Sequence, residues 1–510
     1  FENGKTIFRL WAPLSESVKL NLYSQGHPLY NDQGQSNEER TPFQTVDLER
    51  IENGAWEAIL EGDFNFKYYT FSVTNNGVTN EVTDPYAYST GANGQRGMIV
   101  DFNQLNPQGW AYADRPDTIE RFTDYIVYEL HVRDLTTHSS WRGNESYRGK
   151  FMGLTQSGTT FTGSGVTVST GLDHIVELGV NAVQLLPIFD FGYVDEIQVA
   201  LNPNYPNVFN WGYMPMHFNT LEGSYATNPF DGRVRIQEFK QVIMALHERD
   251  IRVIMDVVYN HISEYELGNL KEIDKEYYFR LDEQGNFMSE SGCGNDFKTE
   301  RPMARRLIVE SVLFWMKEYK IDGFRFDLGK LIDWVTVETI IREAQKINPN
   351  VVIVCEPWGG GYDPQGFSLR GWGSWNDQIR NGIKGENPVN GHGWIFGQWY
   401  GNNNPDRIKS YINGTLVRDK YGLFQRKEHS VNYLESHDGY TLGDFIRIAT
   451  KAVGHSDVIK NPEEVIKLTP EQLKLNKLAA MFLFTSQGIT MIHSGQEYAR
   501  SKIIPFDIDI

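Results

Sequence analysis

The chain has 510 residues, more than one ordinary core accommodates, so a large unit of barrel size and at least one smaller domain are expected. Its 66 acidic against 48 basic residues give a formal net charge of −18, which repels phosphates and anionic membrane surfaces and argues against nucleic acid as a partner. Aromatic residues make up 13% of the chain, with 12 Trp and 26 Tyr, a supply of flat rings that suits a neutral sugar ligand and equally a large core.

Residues 1–102 read as strands. Thr6 to Leu10 and Val18 to Tyr23 alternate in polarity, Tyr68 to Val73 is aromatic and β-branched, and Gly and Asn cluster between them, the pattern of an all-β sandwich. Residues 103–124 are expected to be a linker, because Gln104 to Pro116 carries two prolines and a Gly-Trp pair. From Tyr125 to the end, strands alternate with amphipathic helices, the signal of parallel βαβ units. Strands are predicted at Ile126 to Val132, Ala182 to Ile188, Ile251 to Val258, Gly323 to Asp327, Val351 to Glu356, Val431 to Asp438 and Ile489 to Ser494, with a sixth somewhere in Gly373 to Ile379. Helices are predicted at Leu172 to Leu178, around Ile236 to Leu246, Ile308 to Tyr319 and Val337 to Ala344, and at Leu473 to Phe484. Eight such strands point to an α/β fold, a (β/α)₈ barrel over 125–510, and not to an open doubly wound sheet. The chain stops soon after the eighth strand, so the last barrel helix and a C-terminal β domain are expected to be missing from it.

Cys293 and Cys355 make neither a disulfide framework nor a metal-ligand spacing and read as small buried residues. No stretch is apolar enough to span a bilayer, and a start at Phe1 instead of Met suggests a processed or trimmed terminus. The compartment stays open, with a secreted or cell-envelope location favoured over the cytoplasm, and a monomer is expected.

Four of the strands end in polar groups at the end where barrel enzymes place their active sites. They are Asp256-Val257-Val258-Tyr259-Asn260-His261, Gly323-Phe324-Arg325-Phe326-Asp327, Glu356, and Glu435-Ser436-His437-Asp438. A single aspartate at a strand end serves as well for a helix cap, whereas four such endings converge on one mouth. Carboxylates around one mouth suit cleavage of an acetal, which needs a proton on the leaving oxygen and stabilisation of an oxocarbenium-like transition state. Asp327 and Glu356 lie on adjacent strands, close enough for a retaining double displacement. Arg325, on the same strand face as Asp327, can orient it and keep it ionised, or serve as a structural ion pair. Pro357 and Trp358 beside Glu356 favour the protonated form that an acid requires.

These segments resemble, in order and placement, the four signature regions of the α-amylase superfamily, glycoside hydrolase family 13. The resemblance implies that Asp327 is the nucleophile, Glu356 the acid/base and Asp438 a third carboxylate that holds sugar hydroxyls. It implies substrate contacts for His261, His437, Arg325, Trp211 and Trp358, with Asp256 and Asn260 shaping the site. Phe209-Asn210-Trp211-Gly212-Tyr213-Met214-Pro215 is similar to the Tyr-Asn-Trp-Gly-Tyr-Asp-Pro motif of type I pullulanases, which would make Tyr213 the platform beneath a sugar. Met214 and Gly439 depart from that pattern toward isoamylases. Ser291-Gly292-Cys293-Gly294-Asn295-Asp296, Gly223-Ser224-Tyr225-Ala226-Thr227 and Tyr433 through Asp438 favour pullulanase. Phe8-Arg9-Leu10-Trp11-Ala12-Pro13 and Asp84-Pro85-Tyr86-Ala87 resemble the starch-binding type of β-sandwich, a carbohydrate-binding module, that precedes the barrel in debranching enzymes.

What the resemblance implies is endo-acting hydrolysis of α-1,6 branch linkages in branched α-glucans: pullulan, amylopectin, glycogen and limit dextrins. An isoamylase activity is the second reading, and a glucan-binding protein without activity the third. Gly359-Gly360-Gly361 lacks the Lys-Ser/Thr of a phosphate cradle and reads as a loop of the sugar cleft. No metal site and no required cofactor are read from the residues; a structural calcium rests on family analogy alone.

Overall fold

The computed structural model describes residues 4–502 except 118, 207, 264–267, 400–402, 453, 455–460 and 462–465. Near the N-terminus, Lys5–Trp11, Ala55–Glu61 and Glu49–Arg50 form one antiparallel sheet. Gln44–Asp47, Ser17–Tyr23, Tyr68–Asn75 and Val78–Val82 form a second, with Gly97–Met98 added to Tyr68–Asn75. Thr6, Phe8 and Leu10 are buried while Lys5, Ile7 and Arg9 are exposed, so the period-2 pattern sends one face inward. There the two sheets meet, with Phe8 edge-on to Tyr69 at 5.6 Å between centroids. This β module is tied to the barrel by hydrogen bonds from Thr83 N to Asn269 Oδ1 (2.8 Å), Asn93 N to Glu196 Oε2 (2.9 Å) and Ser89 Oγ to the Gly232 carbonyl (2.7 Å).

Between module and barrel, Trp110 is buried under the ammonium groups of Lys320 and Lys240, 4.5 and 5.0 Å from its ring centroid. The segment predicted as a linker is thus fastened to the barrel's outer helices.

The eight parallel strands close a barrel: Ile126–Leu130, Ala182–Leu185, Arg252–Val257, Gly323–Phe326, Val352–Cys355, Gly373–Trp375, Ser430–Asn432 and Ile489–His493. Closure comes from the eighth strand pairing with the first, Met491 opposite Val127. The helices outside start where the sequence caps them. Asp231 caps Gly232–His247, Asp333 caps Trp334–Ile347, and Thr469 with Gln472 forms a reciprocal capping box on Pro470–Thr485. Among the described residues no helix is long and apolar enough to cross a membrane.

Every predicted strand is trimmed in the structure, the second to Ala182–Leu185 for example, and the sixth and seventh lose more than half of their length. The sixth spans three residues, and Asn376 then caps the helix Asp377–Ile383, so Ile379 is helical. The seventh ends at Asn432, and Tyr433 to Asp438 leave it as a loop over the barrel mouth. Cys355 is buried and Cys293 half-buried; burial pushes the Cys293 thiol up to about 11.

Candidate active site

Strand parity builds the site. Val127, Ala182, Ile254, Val352, Val354 and Met491 form an apolar layer inside the barrel. Side chains two residues on point the same way, so the next layer is Glu129, Gln184, Asp256, Glu356 and His493, and it is polar. Arg325 faces inward between Phe324 and Phe326, which pack in the outer core.

Arg325 is fully buried and holds this layer together. Its Nη1 donates to Asp256 at 2.8 and 3.0 Å and to Asp327 Oδ1 at 3.2 Å, and its Nη2 is paired with Glu356 Oε1 at 2.6 Å. Asp327 and Glu356 therefore sit on neighbouring nitrogens of one planar fork. Asn260 Nδ2 donates to Asp327 Oδ2 at 2.9 Å, and the Leu328 amide donates to Glu356 Oε2 at 3.0 Å, so each carboxyl is fixed at both oxygens. Burial works against the Arg325 charge, but Asp256 and Glu356 outweigh it and raise its pKa. Burial pushes the Glu356 carboxyl up to about 7; Arg325 opposes that rise and Asp327 adds to it.

Removing the guanidinium leaves buried carboxylates without a counter-charge, which costs about 3–5 kcal/mol. We expect Arg325→Met to lower the free energy of unfolding by that amount at about pH 8. Carboxyl groups whose folded pKa is raised stabilise the fold below their unfolded pKa and cease to as pH rises through the folded value. The deficit should therefore shrink at about pH 5.5, which urea denaturation at the two pH values measures; an equal deficit at both would argue against buried carboxylates as its source.

Tyr213 Oη donates to Asp256 Oδ2 at 2.6 Å, and its ring stacks on His437 at 4.9 Å and 29°. Trp211 meets the same imidazole edge-on at 5.2 Å. Asp438 is exposed at the mouth, and Trp358 is partly buried against the barrel interior. His261 lies behind Asn260 and Tyr213. Its Nδ1 bonds Asn260 Oδ1 at 2.6 Å and its Nε2 bonds the Tyr213 carbonyl at 2.7 Å, so both ring nitrogens brace the site from behind.

Four residues here escaped the sequence analysis. Trp375, on the short sixth strand, lies 4.4 Å from the Arg325 guanidinium carbon. Glu129, on the first strand, bonds His437, and His493, on the eighth, bonds Glu129 in turn. The Lys502 ammonium donates to the His437 carbonyl. A lone Glu in Tyr128-Glu129-Leu130 was the available signal, since a charge inside an apolar strand needs a partner.

Asp190, Glu196 and Glu222 are the group of carboxylates that, among the described residues, comes within 4.8 Å as a metal site would. They fit a calcium ion poorly. The buried Arg235 guanidinium is already among them, 3.3 Å from Glu196 and 3.8 Å from Asp190. Both Glu196 oxygens and both Glu222 oxygens accept backbone amides. Too little free oxygen is left for the ~6–8 ligands that calcium takes.

Comparison with known proteins places this geometry in context. The family described as Alpha amylase, catalytic domain, matches residues 147–291, and Carbohydrate-binding module 48 (Isoamylase N-terminal domain) matches residues 1–87. A pullulanase from Paenibacillus barengoltzii, solved in complex with maltohexaose and alpha-cyclodextrin, superposes with a TM-score of 0.86 at 35% identity, covering 99% of this chain and 74% of that one. The pullulanase of Bacillus subtilis is 32% identical over 98% of this chain and 64% of its own length. Isoamylase 3 of Oryza sativa subsp. japonica, a chloroplastic protein, is 30% identical over 74% of this chain and 49% of its own length. The chain thus spans less than two thirds of these two curated relatives.

Proposed function

The chain belongs to the pullulanases of the α-amylase superfamily, and from that membership we propose that it hydrolyses α-1,6-glucosidic branch linkages in pullulan, amylopectin and limit dextrins, endo-acting and with retention of configuration. The observation that carries this reading is the single Arg325 fork holding Asp327 and Glu356 side by side at the barrel mouth. Retaining enzymes need the two carboxyl groups roughly 5–5.5 Å apart, with one ionised and one protonated.

In this reading the protonated Glu356 gives its proton to the leaving glycosidic oxygen while Asp327 attacks C1 and forms a glycosyl ester. Negative charge has then passed from Asp327 to Glu356, and both lie on the same guanidinium, so the charge around Arg325 is unchanged. Glu356 next takes a proton from water, the oxygen of that water attacks C1, and the ester breaks to restore both groups. Asp438, exposed at the mouth, holds sugar hydroxyls, and Tyr213 supplies an aromatic face beneath the ring. Burial of Glu356 supports its part as the acid, because it favours the neutral form.

Met214 and Gly439 favour an isoamylase as the second reading. Product analysis separates the two. Maltotriose from pullulan is the expected result; glycogen cleaved while pullulan stays intact would select isoamylase. Panose from pullulan would mean that an α-1,4 bond is cut and would overturn the linkage.

A further inference from the structure

Glu129 is fully buried in the first strand and takes no direct part in the chemistry read above. Four hydrogen bonds converge on its carboxylate, the longest a donation from Gln184 Nε2 to Oε1 at 3.4 Å. Oε1 accepts from His437 Nδ1 at 2.9 Å, and Oε2 accepts from the His437 backbone amide at 2.9 Å and from His493 Nδ1 at 2.8 Å. An ionised carboxylate only accepts, so both imidazoles must carry a proton on Nδ1. The far side of His493 agrees: its Nε2 lies 2.8 Å from Arg500 Nη2, and a guanidinium only donates, so that nitrogen has no proton. His437 is packed between the Tyr213 face, the Trp211 edge and Glu129. Among the described residues its Nε2 has no hydrogen-bond partner.

We propose that Glu129 is a positioning residue: it holds the His437 proton on Nδ1 and clamps the ring from both backbone and side chain, so that Nε2 is the atom His437 offers to a sugar hydroxyl. The kinetic part of this proposal rests on the hydrolase reading; the proton placement does not. A ring nitrogen fixed by a carboxylate behind it is a common way to set tautomer and aim together.

Glu129→Gln makes a sharp test because the side chain keeps its shape and loses one acceptor. The His437 amide cannot give up its proton, so the glutamine carbonyl must keep the Oε2 position that this amide meets, while the Gln184 amide at Oε1 can turn to offer its oxygen. Its NH₂ then faces His437 Nδ1, which has to become an acceptor, and the His437 proton moves to Nε2.

Nitrogen-15 spectra of the labelled protein, with the His437 signals identified by their loss in His437→Ala, should show Nδ1 protonated in the wild type and Nε2 protonated in Glu129→Gln. Glu129→Asp, still an acceptor only, should keep the wild-type pattern. On pullulan, Glu129→Gln should lose roughly 10–100-fold in kcat/KM, yet add less than about twofold in a His437→Ala background, since an effect relayed through His437 vanishes with it. Nε2 protonation in the wild type, or losses that multiply across the two sites, would overturn the proposal. A wild type inert on every α-glucan would count against the hydrolase reading, and the spectra would still decide the role of Glu129.

Discussion

Asp327→Asn should cut turnover on pullulan by roughly 10⁴-fold or more while leaving oligosaccharide binding measurable. Asparagine matches aspartate in shape, so the pocket and the partners of Arg325 at Asp256 and Glu356 stay in place. What disappears, in the proposed mechanism, is the carboxylate that bonds C1 and leaves again. The amide keeps its oxygen on Arg325 Nη1 and sets its NH₂ against Asn260 Nδ2, a local repulsion too small to unfold a barrel of this size. Calorimetric titration with maltotriose should therefore still give a binding curve with the inactive protein. Full activity in this variant would rule Asp327 out as nucleophile; loss of binding together with turnover would mean that the substitution had reshaped the pocket.

Glu356→Gln should cost about 10²–10⁴-fold on polymeric glucan, the ordinary contribution of a positioned acid. The loss should be smaller on α-glucosides with good leaving groups, which depart without a proton. An equal loss on both would argue that Glu356 binds and does not donate. The wild type supplies a second readout. Because burial holds this carboxyl at about 7, the proton it must donate is lost as pH rises through that value. The kcat/KM profile should accordingly fall on its alkaline side near pH 7, and the fall should be absent from Glu356→Gln. A profile level up to pH 9 would place the proton donor elsewhere.

Much of the barrel is legible in the sequence because buried parallel strands are unbroken apolar runs. Ile251 to Val258 and Val351 to Glu356 could be read almost to the residue. The sixth strand could not, since Gly373–Trp375 is too short to show a period, and the cap at Asn376 starts a helix at once. The seventh was read too long: Ser430 and Asn432 hydrogen-bond each other inside the strand, whereas the apolar Tyr433 and Leu434 that follow belong to the loop.

The same reasoning explains what was visible of the candidate site. Asp256, Arg325, Asp327 and Glu356 are charges at the ends of apolar runs, where parity turns them toward one another. Glu129 and His437 are 308 residues apart, and nothing local in either segment names the other. The double engagement of His261 depends on the Tyr213 carbonyl, a backbone atom that no sequence pattern marks. Arg235 among Asp190, Glu196 and Glu222 is likewise a product of folding, assembled from the hairpin and the two helices, Glu196–Leu201 and Gly232–His247, that follow the second strand.

The account turns on Asp327 attacking while Glu356 protonates, two inversions that together preserve configuration. Proton NMR of the reducing end first released from pullulan, recorded before mutarotation scrambles it, tests that directly. The account predicts the α-anomer. A β-anomer at the first time points would show a single displacement by water and contradict the roles given to both carboxyl groups.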